Sequence, residues 1–355
     1  MINDVCSEFK SGKNIKADSI SESGEYPVYG GNGLRGYTSS YNHEGLYVLI
    51  GRQGALCGNV RSVHGKTFIT EHAIAVAGNE ISNTSFLHYL FVKMNLGQYS
   101  DQSAQPGLAV NKLLKIKVVL PSVSEQTKIA RFLSLLDERI ATQNKIIEDL
   151  KKLKYAISHI LFSSKFTNHL SYIANVVMGQ SPSSNAYNDQ GIGMPLVQGN
   201  LDISNGKTTP RLYTSEFNQT AEEGNIILTV RAPVGEVAKA TKNVCLGRGV
   251  CAIIPHEENM SDFIYQYLTF YKFMWRKYEQ GSTFTSINGS DVRNILCPEV
   301  RNVSILTLLD SKISTEERVV KLYQKQKQYF NYEQNSRISF YSKFIGRNTW
   351  YEHTV

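Results

Sequence analysis

The chain has 355 residues, 41% of them hydrophobic and 10% aromatic, and its 38 basic against 31 acidic side chains leave a formal charge of +7. This length fits two domains, each able to bury its own core, and no run of 18 apolar residues exists to cross a bilayer. Five cysteines without a CxxC pair argue against zinc and disulfides, and the N-terminus lacks an apolar leader core, so a cytoplasmic chain is expected whose mild basic excess suits a polyanionic partner.

In chain order, residues 1–120 form a first domain with strand-like texture. YPVYGGNGLRGYTSSYNHEGLYVLIGRQGALCGNVRSVHGKTFITEHAIAVAG consists of short β-branched and aromatic stretches broken by Gly, Asn and Ser. Residues 121–165 change character. Ile129, Leu133, Leu136, Ile140, Gln143, Ile147, Leu150, Leu153 and Ile157 are spaced by four and three, which predicts an amphipathic helix of about 40 residues and roughly 60 Å. Pro121 leads in, Ser122 or Ser124 can act as N-cap, and Glu125 belongs to the first turn. Residues 166–298 repeat the strand-like texture. Residues 299–345 form a second helical region with Leu306, Leu309, Ile313, Glu316, Val320, Tyr323 and Phe330 on one face, followed by a tail at 346–355.

The halves are copies of one another. Asn111 and Pro121 recur 177 positions later as Asn288 and Pro298; Leu135, Leu136, Asp137 and Ile140 recur 173 positions later as Leu308, Leu309, Asp310 and Ile313. The second copy has therefore lost about one helical turn. Glu316 falls at the place of Gln143, one polar residue in each seam, as expected of a register-setting position. A weaker match joins Leu49, Arg52, Gly58 and Val60 to Leu228, Arg231, Gly235 and Val237. The expected fold is α/β: two pseudo-symmetric domains held apart by two long helices packed as an antiparallel coiled coil.

Motif-like strings yield no catalytic residues and no metal ligands. Gly31, Gly33 and Gly36 satisfy GxGxxG, yet the following sequence reads as turn and strand rather than helix. Gly65-Lys66-Thr67 and Gly206-Lys207-Thr208 end like phosphate loops but lack the first glycine and read as hairpin turns. Glu71 beside His72 reads as two strand neighbours facing opposite ways, with a structural histidine. What remains is a set of side chains suited to DNA: Asn32, Arg35, Arg52, Gln53, Gln102, Gln105, Gln198, Asn200, Arg231, Arg248, Ser282, Thr283 and Thr285. Arg pairs bidentately with guanine and Asn or Gln with adenine, while neighbouring glycines let backbone approach phosphate. A non-catalytic DNA reader is the expectation. An architectural or regulatory DNA binder fits the same duplication.

The strings YPVYGGNGLRGYT, LIGRQGALCGNV, TEHAIAV, VRAPVGEV, GRGV, GSTFTSIN and LPSVSEQTKIARFLSLLDERI resemble recurring phrases of the specificity subunits of type I restriction-modification systems, over essentially the whole chain. The resemblance implies two target recognition domains, each reading half of a split duplex sequence, and helices that bind two methyltransferase subunits, with restriction and motor subunits joining for cleavage. It also implies that this chain binds no cofactor, S-adenosylmethionine and ATP with magnesium belonging to the partners, and that no membrane is involved. NVSILTLLDSKI in the second helical region is shorter than SEQTKIARFLSLLDERI in the first and lacks its Glu125-Gln126 pair, so the two partner contacts need not be equal.

Overall fold

The computed structural model describes residues 1–101, 106–163, 166–277 and 286–345; Gln102, Gln105, Ser282, Thr283, Thr285 and the tail at 346–355 lie outside the described residues. The chain divides into two compact units, Met1–Gln143 with Val320–Val355, and Asn144–Val319. Four helices carry the architecture: α1 (Thr84–Met94), α2 (Val123–Phe162), α3 (Ser261–Tyr271) and α4 (Ser304–Ile345). The two long ones, α2 and α4, each contribute one half to either unit.

In the first unit, strands β1 (Cys6–Ser11), β2 (Tyr26–Gly30), β3 (Gly33–Thr38), β4 (His43–Gly51), β5 (Val60–Ile69) and β6 (Ala73–Gly78) form one sheet in the order β1-β6-β4-β5-β2-β3. Only β2 and β5 run parallel among these pairs. The period-2 alternation of β4 sets the two faces. Val48 and Ile50 join Ile74, Val76 and the α1 residues Leu87 and Phe91 in the main core, while Leu49 packs with Val63, Ala73 and Ala75 on the opposite face. The Asn83 side chain caps α1 by accepting from the Phe86 amide at 3.0 Å.

The second unit repeats this plan with β7 (Ala174–Met178), β8 (Met194–Val197), β9 (Ile226–Thr229), β10 (Val237–Lys239), β11 (Val244–Leu246) and β12 (Val250–Pro255). The run β10-β9-β12-β7 matches β5-β4-β6-β1, and the parallel pair β8·β11 matches β2·β5. The ten-residue β5 corresponds to β10 and β11 together, which are interrupted between Ala240 and Asn243, and the single sheet becomes two. Pairing fixes the residue equivalence. Val48 faces Val76 as Ile226 faces Ile253, and Gly51 faces Ala73 as Thr229 faces Val250. The counterpart of Leu49 is therefore Ile227, and the sequence match of Leu49 to Leu228 and Arg52 to Arg231 is one residue out of step. A one-residue slip moves a strand residue to the wrong face, and the buried faces decide against it: Leu228 belongs with the core that contains Ile226, Ile227 with the opposite one.

The long helices pair within each unit. In the first, the Phe132 and Phe330 rings lie 4.9 Å apart, Asp137 pairs with Lys327 at 2.5 Å, and Arg139 Nη1 donates to Tyr323 Oη at 3.4 Å. In the second, Lys151 pairs with Glu317 at 2.7 Å and Lys154 with Asp310 at 2.6 Å. In both, numbers rise along α2 as they fall along α4, so the pairing is antiparallel. Leu133, Leu136, Ile147, Leu306, Leu309, Ile313, Glu316 and Val320 are buried, and Ile129, Ile140, Gln143, Leu150, Ile157, Tyr323 and Phe330 are half-buried. Leu153 departs from the expected seam, being 49% exposed, and Lys154 takes its place. A 3.6-residue helix drifts out of a 3.5-residue repeat, and beyond Leu150 the face that counts is the one carrying Ile157, Leu161 and Phe162 into the second domain's own core.

Ser122, not Ser124, caps α2. Its Oγ accepts from the Glu125 amide at 3.4 Å while the Glu125 carboxylate accepts from the Ser122 amide at 3.2 Å, a capping box. Asp137 lies 14 residues beyond the start of α2, whereas Asp310 lies only six beyond the start of α4, so α4 begins later than the four-residue deletion alone requires. The extra turns of α2 carry Gln126, which is fully buried: its Oε1 accepts from Asn83 N at 2.8 Å and its Nε2 donates to Ile81 O at 3.0 Å and Pro121 O at 2.9 Å. The Glu125-Gln126 pair thus has work inside this chain, one residue starting α2 and the other fastening it to the loop before α1.

Candidate nucleic-acid interface

Each domain opens a hollow of about 250 Å³ at the same place in its fold. In the first, Gly30, Gly31, Asn32, Arg35, Gln53, Gly54 and His72 form the wall; in the second, Gln198, Gly199, Asn200, Arg231, Arg248 and Gly249 are joined by Ser181 and Ala232. Both sit at the C-terminal end of a strand running parallel to its neighbour, β2 beside β5 and β8 beside β11. Both are bounded by the segment leaving the central strand, β4 or β9.

The local backbone explains the convergence. After β4, Arg52 N donates to His72 O and Leu108 N donates to Arg52 O, both at 2.9 Å; after β9, Val230 N donates to Gly249 O and Ile287 N to Val230 O, again at 2.9 Å. The next residues, Gln53 and Arg231, form isolated bridges to Gly107 and Ser286. Arg52 is thus the counterpart of buried Val230, and Gln53 is the counterpart of Arg231. Arg52, expected to read DNA, stands outside the hollow's wall. It is half-buried, and its carbonyl also accepts from Cys57 Sγ at 3.3 Å. The glycines close the floors: a Cβ on Gly31 would come within 2.7 Å of His72 O, and one on Gly249 within 2.1 Å of Gln198 O.

Of the expected reading residues that are described, Asn32, Arg35 and Gln53 meet in one hollow and Gln198, Asn200, Arg231 and Arg248 in the other. Arg35 lies along Gly30, whose hydrogen leaves room for its Cδ. Gln198 is partly committed, its Nε2 donating to Tyr187 Oη at 3.2 Å and its backbone N to Asp202 Oδ2 at 2.9 Å. Asp202 is itself neutralised by Arg211 Nε at 3.1 Å. Among the described residues no carboxylate is paired with Arg35, Arg231 or Arg248, so three cations face the two hollows without an internal counter-charge.

Glu71 and His72 were expected on a strand, facing apart. They lie instead in the turn between β5 and β6, where Glu71 Oε1 approaches His72 Nε2 at 3.2 Å and His72 Nδ1 lies 3.2 Å from Gln53 Oε1. A turn has no period of two, which is why strand logic failed there. Gly65-Lys66-Thr67 also differs from its expectation, lying within β5 rather than in a hairpin turn, whereas Asn205 and Gly206 do make the turn that precedes Lys207. Gly31 lies in the turn that follows β2, and Gly33 and Gly36 lie in β3, so GxGxxG has no helix behind it. The equivalence of the hollows did leave a sequence signal: Pro27-x-x-x-Gly31-Asn32 recurs 168 positions later as Pro195-x-x-x-Gly199-Asn200.

The DNA specificity domain of type I restriction modification matches residues 1–152 and, a second time, residues 167–322. The chain belongs to this family. Its specificity domains are thus the two α/β repeats with the helices that follow them. The chain is 44% identical over 134 residues to the specificity subunit of the type I restriction enzyme EcoprrI of Escherichia coli, covering 37% of this chain and 33% of that protein. It is 31% identical over 246 residues to a Methanocaldococcus jannaschii protein named for the specificity subunit of the type I restriction enzyme MjaX, covering 62% of this chain and 58% of that one. The matched region thus spans between a third and three fifths of these relatives' own length. The crystal structure of the type I restriction-modification S subunit from M. genitalium shares the fold, with a TM-score of 0.68 at 18% identity over 94% of this chain and 93% of that one. Among the described residues no helix is long and apolar enough to cross a membrane.

Proposed function

We propose that this chain is the sequence-specific, non-catalytic DNA-recognition subunit of a cytoplasmic type I restriction-modification complex, each specificity domain reading one half of a bipartite duplex target. The observation that carries this reading is the pair of equivalent hollows: one backbone frame, two different sets of polar and cationic side chains. Base edges are read by such donors and acceptors, and phosphates by nearby cations and glycine backbone. The paired helices act as spacer and as the dock for two methyltransferase subunits, with restriction and motor subunits joining the assembly. S-adenosylmethionine, and ATP with magnesium, bind those partners.

The test is to purify the chain alone and co-purified with its methyltransferase, and to follow methyl transfer to duplex DNA. The pair should methylate adenine within one split sequence; the chain alone should be inert. Methylation by the isolated chain, or a pair that methylates without sequence preference, overturns the reading.

A further inference from the structure

Because the hollows are equivalent, one position can be compared between domains without appeal to any other protein. Gln53 and Arg231 leave the ends of β4 and β9 after residues whose N–H and C=O are both tied down, and each is itself held by a bridge to a returning segment. Their side chains start from a rigid frame rather than a free loop, as a precise reading residue requires. Both contribute to the wall of their hollow, and each hollow measures about 250 Å³. The chemistry at this one place differs. Gln53 presents an amide, Arg231 a guanidinium.

We propose that this position determines specificity in both domains: Gln53 recognises an adenine in the half-site of the first domain, and Arg231 a guanine in the half-site of the second. The inference rests on the DNA-recognition reading above. An amide offers one acceptor and one donor group together, which suits the N6 donor and N7 acceptor of adenine. The Gln53 oxygen lies 3.2 Å from His72 Nδ1, which holds the amide against the wall while its second lone pair and its NH₂ group remain for a base. A guanidinium offers donors only, which suits the paired O6 and N7 acceptors of guanine, and no described carboxylate competes for it at Arg231. Each side chain rejects the other's base. An arginine meets the N6 donor of adenine with another donor, and a glutamine leaves an acceptor facing guanine O6.

The experiment exchanges the two chemistries in the full chain assembled with its methyltransferase subunits. Methylated sequences are mapped for Gln53→Arg and for Arg231→Gln, and binding of each complex is competed with duplexes altered at single base pairs. In Gln53→Arg, one A·T pair of one half-site should become G·C, with a reversal of preference of roughly tenfold or more; Arg231→Gln should make the reciprocal change in the other half-site. Spacer and remaining bases should stay as they were. Where a variant no longer methylates, the competition decides: binding recovered by the duplex with that single exchange supports the proposal, and binding weakened alike on every duplex marks a phosphate contact and overturns it. An active variant with both half-sites unaltered also overturns it. An unsubstituted complex that binds duplex without sequence preference would instead defeat the recognition reading itself.

Discussion

Buried side chains with a single fixed partner set give the sharpest expectations. Gln126 makes three hydrogen bonds in full burial, and Gln126→Ala leaves the Asn83 amide and two carbonyls searching for partners. Buried polar groups left unpaired cost about 1 to 3 kcal/mol, so the first unit should lose about 2 kcal/mol in urea titration while the methylated sequence stays the same. Burial also pushes the thiols of Cys251 and Cys297 up to about 12. At pH 8 only about one thiol in ten thousand is then ionised, and thiolate is the reactive form, so maleimide should label these two only after denaturant is added. Labelling of native protein at the rate of a free thiol would contradict that burial. Glu8 supplies a pH dependence. Partial burial raises its carboxyl, but hydrogen bonds from Lys10 and His43 outweigh this, leaving it below its ordinary value of 4.5. A carboxylate lowered in the folded state stabilises fully above its unfolded value and loses that contribution as pH falls through the folded one. Stability should therefore decline from about pH 5 downward, and Glu8→Gln should flatten that limb; equal acid slopes in the two proteins would show that Glu8 contributes none of it.

At the scale of elements, the seam and the duplication can be tested together. Leu133 is 2% exposed and Leu153 49%, although both satisfy the same apolar spacing. Leu133→Ala should cost about 2 to 4 kcal/mol and Leu153→Ala no more than about 0.5, as read by thermal unfolding. Spacing made the helices legible because burial repeated over many turns adds up in the sequence. It failed at Leu153 because the stripe hands over to the second domain's core there, and spacing does not say which neighbour a face will meet. The strands were legible as texture but not in register, because the segment after β4 is one residue longer than the one after β9 and no single offset aligns Leu49, Arg52 and Gly58 together. Arg52 was matched to Arg231 for that reason and stands outside the hollow's wall, although seven of the residues expected to read DNA do converge on two hollows. The helix junctions repeat more faithfully. Asp137 accepts from Tyr89 Oη at 3.1 Å and pairs with Lys327; Asp310 accepts from Gln266 Nε2 at 2.7 Å and pairs with Lys154. Lys327 stands 173 positions after Lys154, as Asp310 does after Asp137, so duplication copied the joint between domain and helix pair along with the domain. These charges are partly solvated, and each ion pair is worth under about 1 kcal/mol, which assigns the joint to geometry more than to stability.

For the whole molecule the duplication gives one chain the pseudo-symmetry of a dimer, and under the function proposed above it leaves each half free to take a different target. If the helices set the spacing between half-sites, lengthening one of them should change the gap and nothing else. Gln143 is the place to insert, because the seam resumes on either side of it with the spacing from Leu136 and Ile140 to Ile147 and Leu150. Four added residues advance a helix by about 6 Å and turn it by about 400°, close to a full revolution, so the apolar stripe still meets its partner. B-DNA rises 3.4 Å per base pair, and the unread gap in the methylated sequence should lengthen by roughly one or two base pairs with both half-sites retained. Two added residues turn the stripe by about 200° and should instead break the assembly, seen as loss of methylation and of co-purifying methyltransferase. An active four-residue variant with an unchanged gap would mean that the helices dock partners without measuring distance, and that spacing is set by where the methyltransferase subunits hold the DNA.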